Sequence, residues 1–199
     1  MRDLLKKEII SNSNNISYQL KIDGSYVSNK FNPNIFFDKI FIINLKRSTD
    51  RWKKIKINLV ENGIYNFERQ EGVYLPRINA LKHLNYNLYS NIEAYGKFKK
   101  DNNYILNVVG TNLAHYEIIK KSIKRNYNRI LILEDDSFIN KTFHQNFING
   151  IRYLNNKSWD FIYLGFKRSA PNYNARKVSN EIIIPFNKIR GAYGYAVNS

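Results

Sequence analysis

The chain has 199 residues, with 32 Lys and Arg against 16 Asp and Glu, a formal net charge of +16 and a pI near 9.9. Its 43% hydrophobic and 15% aromatic content is enough apolar surface for one domain with a substantial core, which excludes wholesale disorder. The absence of Cys excludes disulfides and cysteine metal sites.

Residues 1 to 37 read as an extension to a main domain. The start, Met1-Arg2-Asp3-Leu4-Leu5-Lys6-Lys7-Glu8, places charges where a signal peptide needs an apolar run. No stretch approaches the roughly 18 apolar residues of a transmembrane helix. The expectation is therefore a soluble cytoplasmic protein, in the host cytoplasm if the source is viral. Ile16 to Ile22 has the pattern of a short strand, and Asn32-Pro33-Asn34 is a turn signal.

The regular pattern begins at Lys39. Ile40-Phe41-Ile42-Ile43 is a continuous apolar run, as in a strand covered on both faces. Ser48-Thr49-Asp50 offers N-cap residues for a helix to about Glu61, with Trp52, Ile55, Leu59 and Val60 at helical spacing and Asn62-Gly63 as its stop. Ile64 to Phe67 is predicted to return as a strand and complete a β-α-β unit. Glu71 to Asn103 is irregular, with a helical pattern around Asn79 to Leu84. Thr111 to Tyr127 reads as a helix with Leu113, Tyr116, Ile119 and Ile123 on one face. Ile130-Leu131-Ile132-Leu133 is the strongest strand, and Phe143, Phe147, Ile151 and Leu154 mark another amphipathic helix. Asp160 to Gly165 is predicted as a third core strand, followed by strands at Ile182 to Ile184 and Ala192 to Val197. Strands alternating with helices predict an α/β fold with a mainly parallel sheet.

The charge attracts anions over about 8 Å at physiological salt. Nucleic acid, an anionic membrane surface contacted peripherally, and a sugar nucleotide all qualify. The short basic clusters, such as Lys53-Lys54-Ile55-Lys56, Lys97-Phe98-Lys99-Lys100 and Lys120-Lys121-Ser122-Ile123-Lys124-Arg125, read first as solvated helix faces.

Glu134-Asp135-Asp136 follows the strongest strand. In open α/β sheets the carboxyl edge of the strands is where ligands bind. Three consecutive carboxylates repel one another unless a positive group joins them. A hard divalent cation, Mg²⁺ or Mn²⁺, shared with a substrate diphosphate answers that need. If the strand runs on to Asp136, Glu134 and Asp136 share one side and Asp135 faces the other. The alternative is a capping turn, with Asp136 or Ser137 starting the next helix. Asn44-Leu45-Lys46-Arg47-Ser48-Thr49-Asp50-Arg51 leaves the first strand at the same edge. There Asn44 can pair with a base edge and the two Arg can fork onto a diphosphate. Its alternative is helix capping with an Asp50 ion pair inside the helix. Gly110-Thr111-Asn112 is read as leading into a helix, where Gly110 permits close backbone approach and Thr111 or Asn112 can cap, with His115 in its first turn or two. His83, His115 and His144 do not form a zinc-ligand spacing.

Together these segments resemble glycosyltransferase family 25, which includes lipooligosaccharide and procollagen galactosyltransferases. The matching stretches are Ile40 to Arg51, Gly110 to His115, Ile130 to Asp136, Asp160 to Gly165, and Gly191-Ala192-Tyr193-Gly194-Tyr195-Ala196. They occur in the family's order across about residues 38 to 199. The resemblance implies a GT-A type (Rossmann-type) fold, a UDP-sugar donor, and a Mn²⁺- or Mg²⁺-dependent inverting transfer of a hexose to a glycan or protein acceptor, collagen-like proteins included. In that comparison Glu134-Asp135-Asp136 matches the acidic motif, a variant of Asp-x-Asp. Glu134 and Asp136 are then the metal residues and, with His115, the catalytic ones. Asn44, Arg47, Arg51 and Asp135 take the nucleotide, and His115 matches the His of a Ser-His pair. Two departures stand out: Ala114 replaces that Ser, and Thr111 stands where Cys is common. The domain's C-terminal part is expected to be incomplete at Ser199. Asp160 is a weak candidate for the base. The competing readings are an inactive transferase-like domain that binds a sugar nucleotide, and a basic nucleic-acid-binding module. The acidic cluster at the sheet edge argues against the second.

Overall fold

The computed structural model describes residues 20–22, 25–27, 32–74, 102–154, 157–167, 175–177, 183–185 and 190–198. The irregular stretch and its helical pattern around Asn79 to Leu84 lie outside the described residues, as do Ile16 to Gln19, His83 and the Lys97 cluster.

Two short strands, β1 (Leu20–Ile22) and β2 (Ser25–Val27), form an antiparallel pair in the N-terminal extension. Asn32-Pro33-Asn34 does not make a turn. It starts a one-turn helix, α1 (Pro33–Phe36), with Asn32 accepting from the Asn34 backbone N–H and Pro33 in the first helical turn. Proline fits there because its missing N–H has no intrahelical acceptor.

The main unit opens with β3 (Lys39–Asn44), α2 (Thr49–Glu61) and β4 (Phe67–Glu71), with β3 and β4 parallel. Gly63, at φ +69°, ends α2 as its sequence suggests. Val60, read as part of the apolar face, is exposed, while Ile55 and Leu59 carry the burial. The second strand is Phe67–Glu71 and not Ile64 to Phe67; Ile64 is a fully buried plug before it. The cause is β4's position at the sheet edge. A strand flanked on one side only can alternate polar residues between faces: Phe67 and Arg69 meet Trp52 of α2, while Glu68 and Gln70 turn to the opposite face.

The long helix α3 spans Asn102–Lys124 and starts nine residues before the predicted Thr111. Gly110 and His115 therefore lie in its interior. Its buried stripe is Val109, Ala114, Ile118 and Ser122, with Ile119 packed beside it. Tyr116 and Ile123, read as core, are 60% and 72% exposed. The strands β5 (Arg129–Glu134), β6 (Phe161–Lys167), β7 (Ala175–Lys177), β8 (Ile183–Pro185) and β9 (Arg190–Asn198), with α4 (Phe143–Leu154), complete the described elements.

The central sheet has the order β4-β3-β5-β9-β6. It is mixed, not mainly parallel. β4, β3 and β5 pair in parallel, and β9 runs antiparallel between β5 and β6. An apolar run such as Ala192 to Val197 reports burial on two faces and carries no direction. β6, predicted as a core strand, is the other edge, and Phe161 and Tyr163 on it are exposed.

The sheet is covered on both faces. Ile40, Ile42, Leu131 and Leu133 pack with Ile55 and Leu59 of α2 and Phe147, Ile148 and Ile151 of α4. Phe41, Ile130 and Ile132 face Ile118 of α3. Burying a Leu or Ile contributes about 1.5–3 kcal/mol, so these layers hold the sheet edge rigid where the acidic residues emerge. Glu68 ties β4 to α3 through Lys121 at 3.0 Å and Arg125 at 2.7 Å. Burial works to raise its pKa, but the hydrogen bonds from Arg125 and Lys121 outweigh this and hold it low. A lowered carboxylate pKa stabilises the fold above the unfolded value of 4.5, and that contribution is lost as pH falls through the folded value. Glu68→Gln is therefore expected to lower the melting temperature modestly near pH 7. The difference from wild type should shrink below pH 4.5 in a pH series of thermal melts.

Candidate functional site

The site forms where β3 and β5 end side by side. Ile43 pairs with Glu134, so Asn44 and Asp135 leave the sheet as neighbours. β5 stops at Glu134. Asp135 and Asp136 form a turn, closed by the Ser137 N–H donating to the Glu134 carbonyl at 3.0 Å. The strand thus does not run on to Asp136, and the next helix starts only at Phe143, so the triplet is not a helix cap either. The chain beyond it is strapped to α2. The side chain of Asn58 both accepts from Ile139 N at 2.8 Å and donates to Ile139 O at 2.9 Å.

The turn separates the three carboxylates. Glu134 has the strand parity of Ile130 and Ile132 and lies on the α3 face. Asp135 turns to the α2 face. There the Asn44 amide donates to Oδ2 at 2.6 Å and Arg51 pairs with Oδ1 at 3.3 Å. Asp136 is exposed at the tip. Among the described residues, Asp135 alone of the three has an ion-pair partner. The Glu134 pKa is raised, first by burial and then by the negative charges of Asp136 and Asp135. The two aspartates thus add to burial in disfavouring the charged form of Glu134.

Asn44 is 1% exposed and its amide is committed within the fold. Nδ2 donates to the Ser48 carbonyl at 3.0 Å as well as to Asp135, and Oδ1 accepts from Arg69. Ser48 makes no side-chain cap; its carbonyl, held by Asn44, fixes the turn into α2 instead. Arg51 pairs across to Asp135, where an ion pair inside the helix with Asp50 was the alternative. Arg47 lies over the Tyr74 ring, 4.2 Å from its centroid.

His115 does not stand at a helix start. It sits in the middle of α3, where Nδ1 shares a 2.7 Å hydrogen bond with the Tyr195 hydroxyl of β9. Burial lowers the His115 pKa from its ordinary 6.5, which favours the neutral ring. Burial, followed by Tyr163 and Glu134, pushes the Tyr195 hydroxyl up to about 12. Gly110 is interior too, and its role is contact. A Cβ there would overlap the Val73 carbonyl oxygen, next to Gly72, whose N–H donates to the Asn44 carbonyl. Asp160 lies at the opposite edge. Its carbonyl accepts from Asn198, which pairs with Arg129 at the start of β5. That placement removes it as a base beside Glu134.

Two residues escaped the sequence reading. Tyr195 lies within the matched Gly191 to Ala196 stretch, but no pattern marks it as the partner of His115. Arg69 sits mid-strand in β4. Its Nη2 donates to Asn44 Oδ1, to Leu45 O at 3.2 Å and to Lys46 O at 3.5 Å. A lone Arg in a polar edge strand reads as a solvent residue, and only the register of β4 on β3 shows otherwise.

The donor set can be tested against a divalent cation. Among the described residues no group of three or more His, Cys, Asp and Glu side chains is arranged to cage an ion. Mg²⁺ and Mn²⁺ are instead commonly held by one or two carboxylates together with substrate phosphates. Glu134 and Asp136, two carboxylates at a strand end with no ion-pair partner among the described residues, fit that mode. No helix among the described residues is long and apolar enough to cross a membrane.

The sequence model of the family described as "Glycosyltransferase family 25 (LPS biosynthesis protein)" matches residues 37–199. The chain is 27% identical over 186 residues to human procollagen galactosyltransferase 2, covering 87% of this chain and 29% of that protein. It is 29% identical over 145 residues to the human inactive glycosyltransferase 25 family member 3, covering 69% and 23%. Procollagen galactosyltransferase 1-B of Xenopus laevis is 30% identical over 134 residues, covering 66% and 22%. The chain thus spans less than a third of the length of these relatives. With the family's sequence model matched from Phe37 to the last residue, over the whole α/β unit that carries the acidic turn, the chain belongs to glycosyltransferase family 25.

Proposed function

We propose that this domain, with a GT-A type fold, transfers a hexose, galactose or glucose, from a UDP-sugar to a hydroxyl of a glycan or protein acceptor, with inversion and with a divalent metal. The observation that carries the reading is the division of the acidic turn. Asp135 is spent on Asn44 and Arg51, while Glu134 and Asp136 remain at the end of β5. Glu134 and Asp136 would hold the metal. A bound Mn²⁺ or Mg²⁺ supplies Lewis-acid stabilisation of charge on the departing UDP. Arg47, exposed on Tyr74 beside the β3–α2 turn, is placed to meet phosphate oxygens. Arg51, its side chain 63% exposed, shares its charge between Asp135 and solvent. His115 and Tyr195 contribute a neutral hydrogen-bonding pair on the Glu134 side of the sheet.

A thermal-shift screen of UDP-galactose, UDP-glucose and their N-acetyl forms with Mn²⁺ tests donor binding. A donor at 100 times its dissociation constant should stabilise the fold by about 2.7 kcal/mol. No shift with any UDP-sugar would sink the proposal. The likeness to an inactive family member and the Ala114 departure support a second reading, a domain that binds the donor without turnover. Binding without UDP release, with acceptor glycans and collagen-like peptides both tried, would favour it.

A further inference from the structure

Arg69 carries none of the roles assigned above, yet it bonds three consecutive residues where β3 ends and the turn into α2 begins. One nitrogen, Nη2, reaches Asn44 Oδ1 and the carbonyls of Leu45 and Lys46. The guanidinium stands 5.2 Å from the centroid of the Trp52 ring. Its Nε is buried without a hydrogen-bond partner. Leaving a buried charged donor unpaired is unfavourable, so the side chain is held by what its other end does.

Nη2 fixes the Asn44 amide by donating to its oxygen. With Oδ1 turned to Arg69, both amide hydrogens point away, one to Ser48 O and one to Asp135 Oδ2. Asp135 is thereby drawn to the α2 face, and the turn that follows β5 leaves Glu134 on the α3 face and Asp136 exposed. We propose that Arg69 is a positioning residue for the donor site: through Asn44 it holds Asp135 aside, so that the acidic turn offers Glu134 and Asp136, and not Asp135, to a metal–diphosphate ligand. This inference rests on the proposed function. It adds a residue that no motif marks and a mechanism for choosing between adjacent carboxylates.

The test is UDP affinity by calorimetry, with Mn²⁺ and with EDTA, for wild type, Arg69→Ala, Arg69→Lys and the exposed control Lys53→Ala. Partners that orient ligands without touching the ligand commonly contribute about 10–100-fold to metal affinity or activity. Arg69→Lys keeps the charge but not the planar guanidinium fork that aims Nη2 at Asn44 Oδ1, so it decides the matter if Arg69→Ala does not fold. The expected result is a loss of about tenfold or more in the Mn²⁺-dependent gain in UDP affinity. Affinity in EDTA and the Lys53→Ala variant should be unchanged. In the ligand-free protein, the Asn44 side-chain amide protons should be protected from exchange in wild type and exposed in Arg69→Lys. Equal Mn²⁺-dependent affinity in wild type and Arg69→Lys overturns this inference alone, as does equal weakening with and without metal, which marks a purely structural role. Absence of UDP binding by wild type overturns the proposed function, and this inference with it.

Discussion

Asp136→Asn is expected to lower Mn²⁺-dependent release of UDP from a UDP-sugar by on the order of 10²-fold or more, the scale for losing one preorganised contact to developing charge. Its melting temperature without ligand should be unchanged. The two halves of that expectation come from the same geometry. Asp136 is exposed at the tip of the turn, so the fold loses nothing buried with its charge. Surface changes of this kind usually stay within about 0.5 kcal/mol. Asp135→Asn should behave in the opposite sense, because that carboxylate accepts from Asn44 at 2.6 Å and pairs with Arg51. It should lower the stability of the ligand-free protein measurably. Steady-state UDP release paired with thermal melts separates the two variants. Unchanged turnover in Asp136→Asn would remove the metal assignment.

Gly110→Ala should destabilise the domain by about 1–3 kcal/mol, the range for forcing a methyl group into a filled space. Helix propensity alone argues the reverse, since Ala is favoured over Gly by about 1 kcal/mol in a helix interior. Space decides. The new Cβ would overlap the Val73 carbonyl oxygen, a backbone atom that cannot rotate away. Either α3 or the segment after β4 must move, and that segment holds Gly72 against Asn44. For a chain of this size each kcal/mol shifts the melting temperature by about 2–4 °C, so scanning calorimetry resolves the change. A raised melting temperature would mean that α3 stands farther off than described. The same variant should also weaken donor binding, because the β3–α2 turn is supported from Gly72.

The sequence by itself determined the elements whose period is strong. Ile40 to Ile43 and Ile130 to Leu133 were legible as covered strands, because short apolar runs rich in Ile and bounded by polar residues suit a sheet buried on both faces. Phe143, Phe147, Ile151 and Leu154 had to share a helix face. The acidic triplet at the end of the second of these strands, and the Asn44 to Arg51 segment beside it, were legible for the same reason, because strand ends are marked where the apolar run stops. Gly63 closed its helix as read.

Other features depended on neighbours distant in the chain. The antiparallel insertion of β9 made the sheet mixed, because strand direction leaves no trace in an apolar run. The polar strand Phe67–Glu71 exists because it is an edge, with Lys121 and Arg125 on one face and Trp52 on the other. Gly110 was legible as a place of close backbone approach, but only packing shows that it lies inside a helix and that Val73 is its neighbour. Asn44 read as a base-pairing residue and its amide is committed to Ser48, Asp135 and Arg69. The triplet itself shows the division most clearly. That three carboxylates gather at the sheet edge is written in the chain. That Asp135 is held aside while Glu134 and Asp136 are not was decided by a set of hydrogen bonds that span 25, 84 and 91 positions of the chain. Those bonds form only once β3, β4 and β5 lie in register.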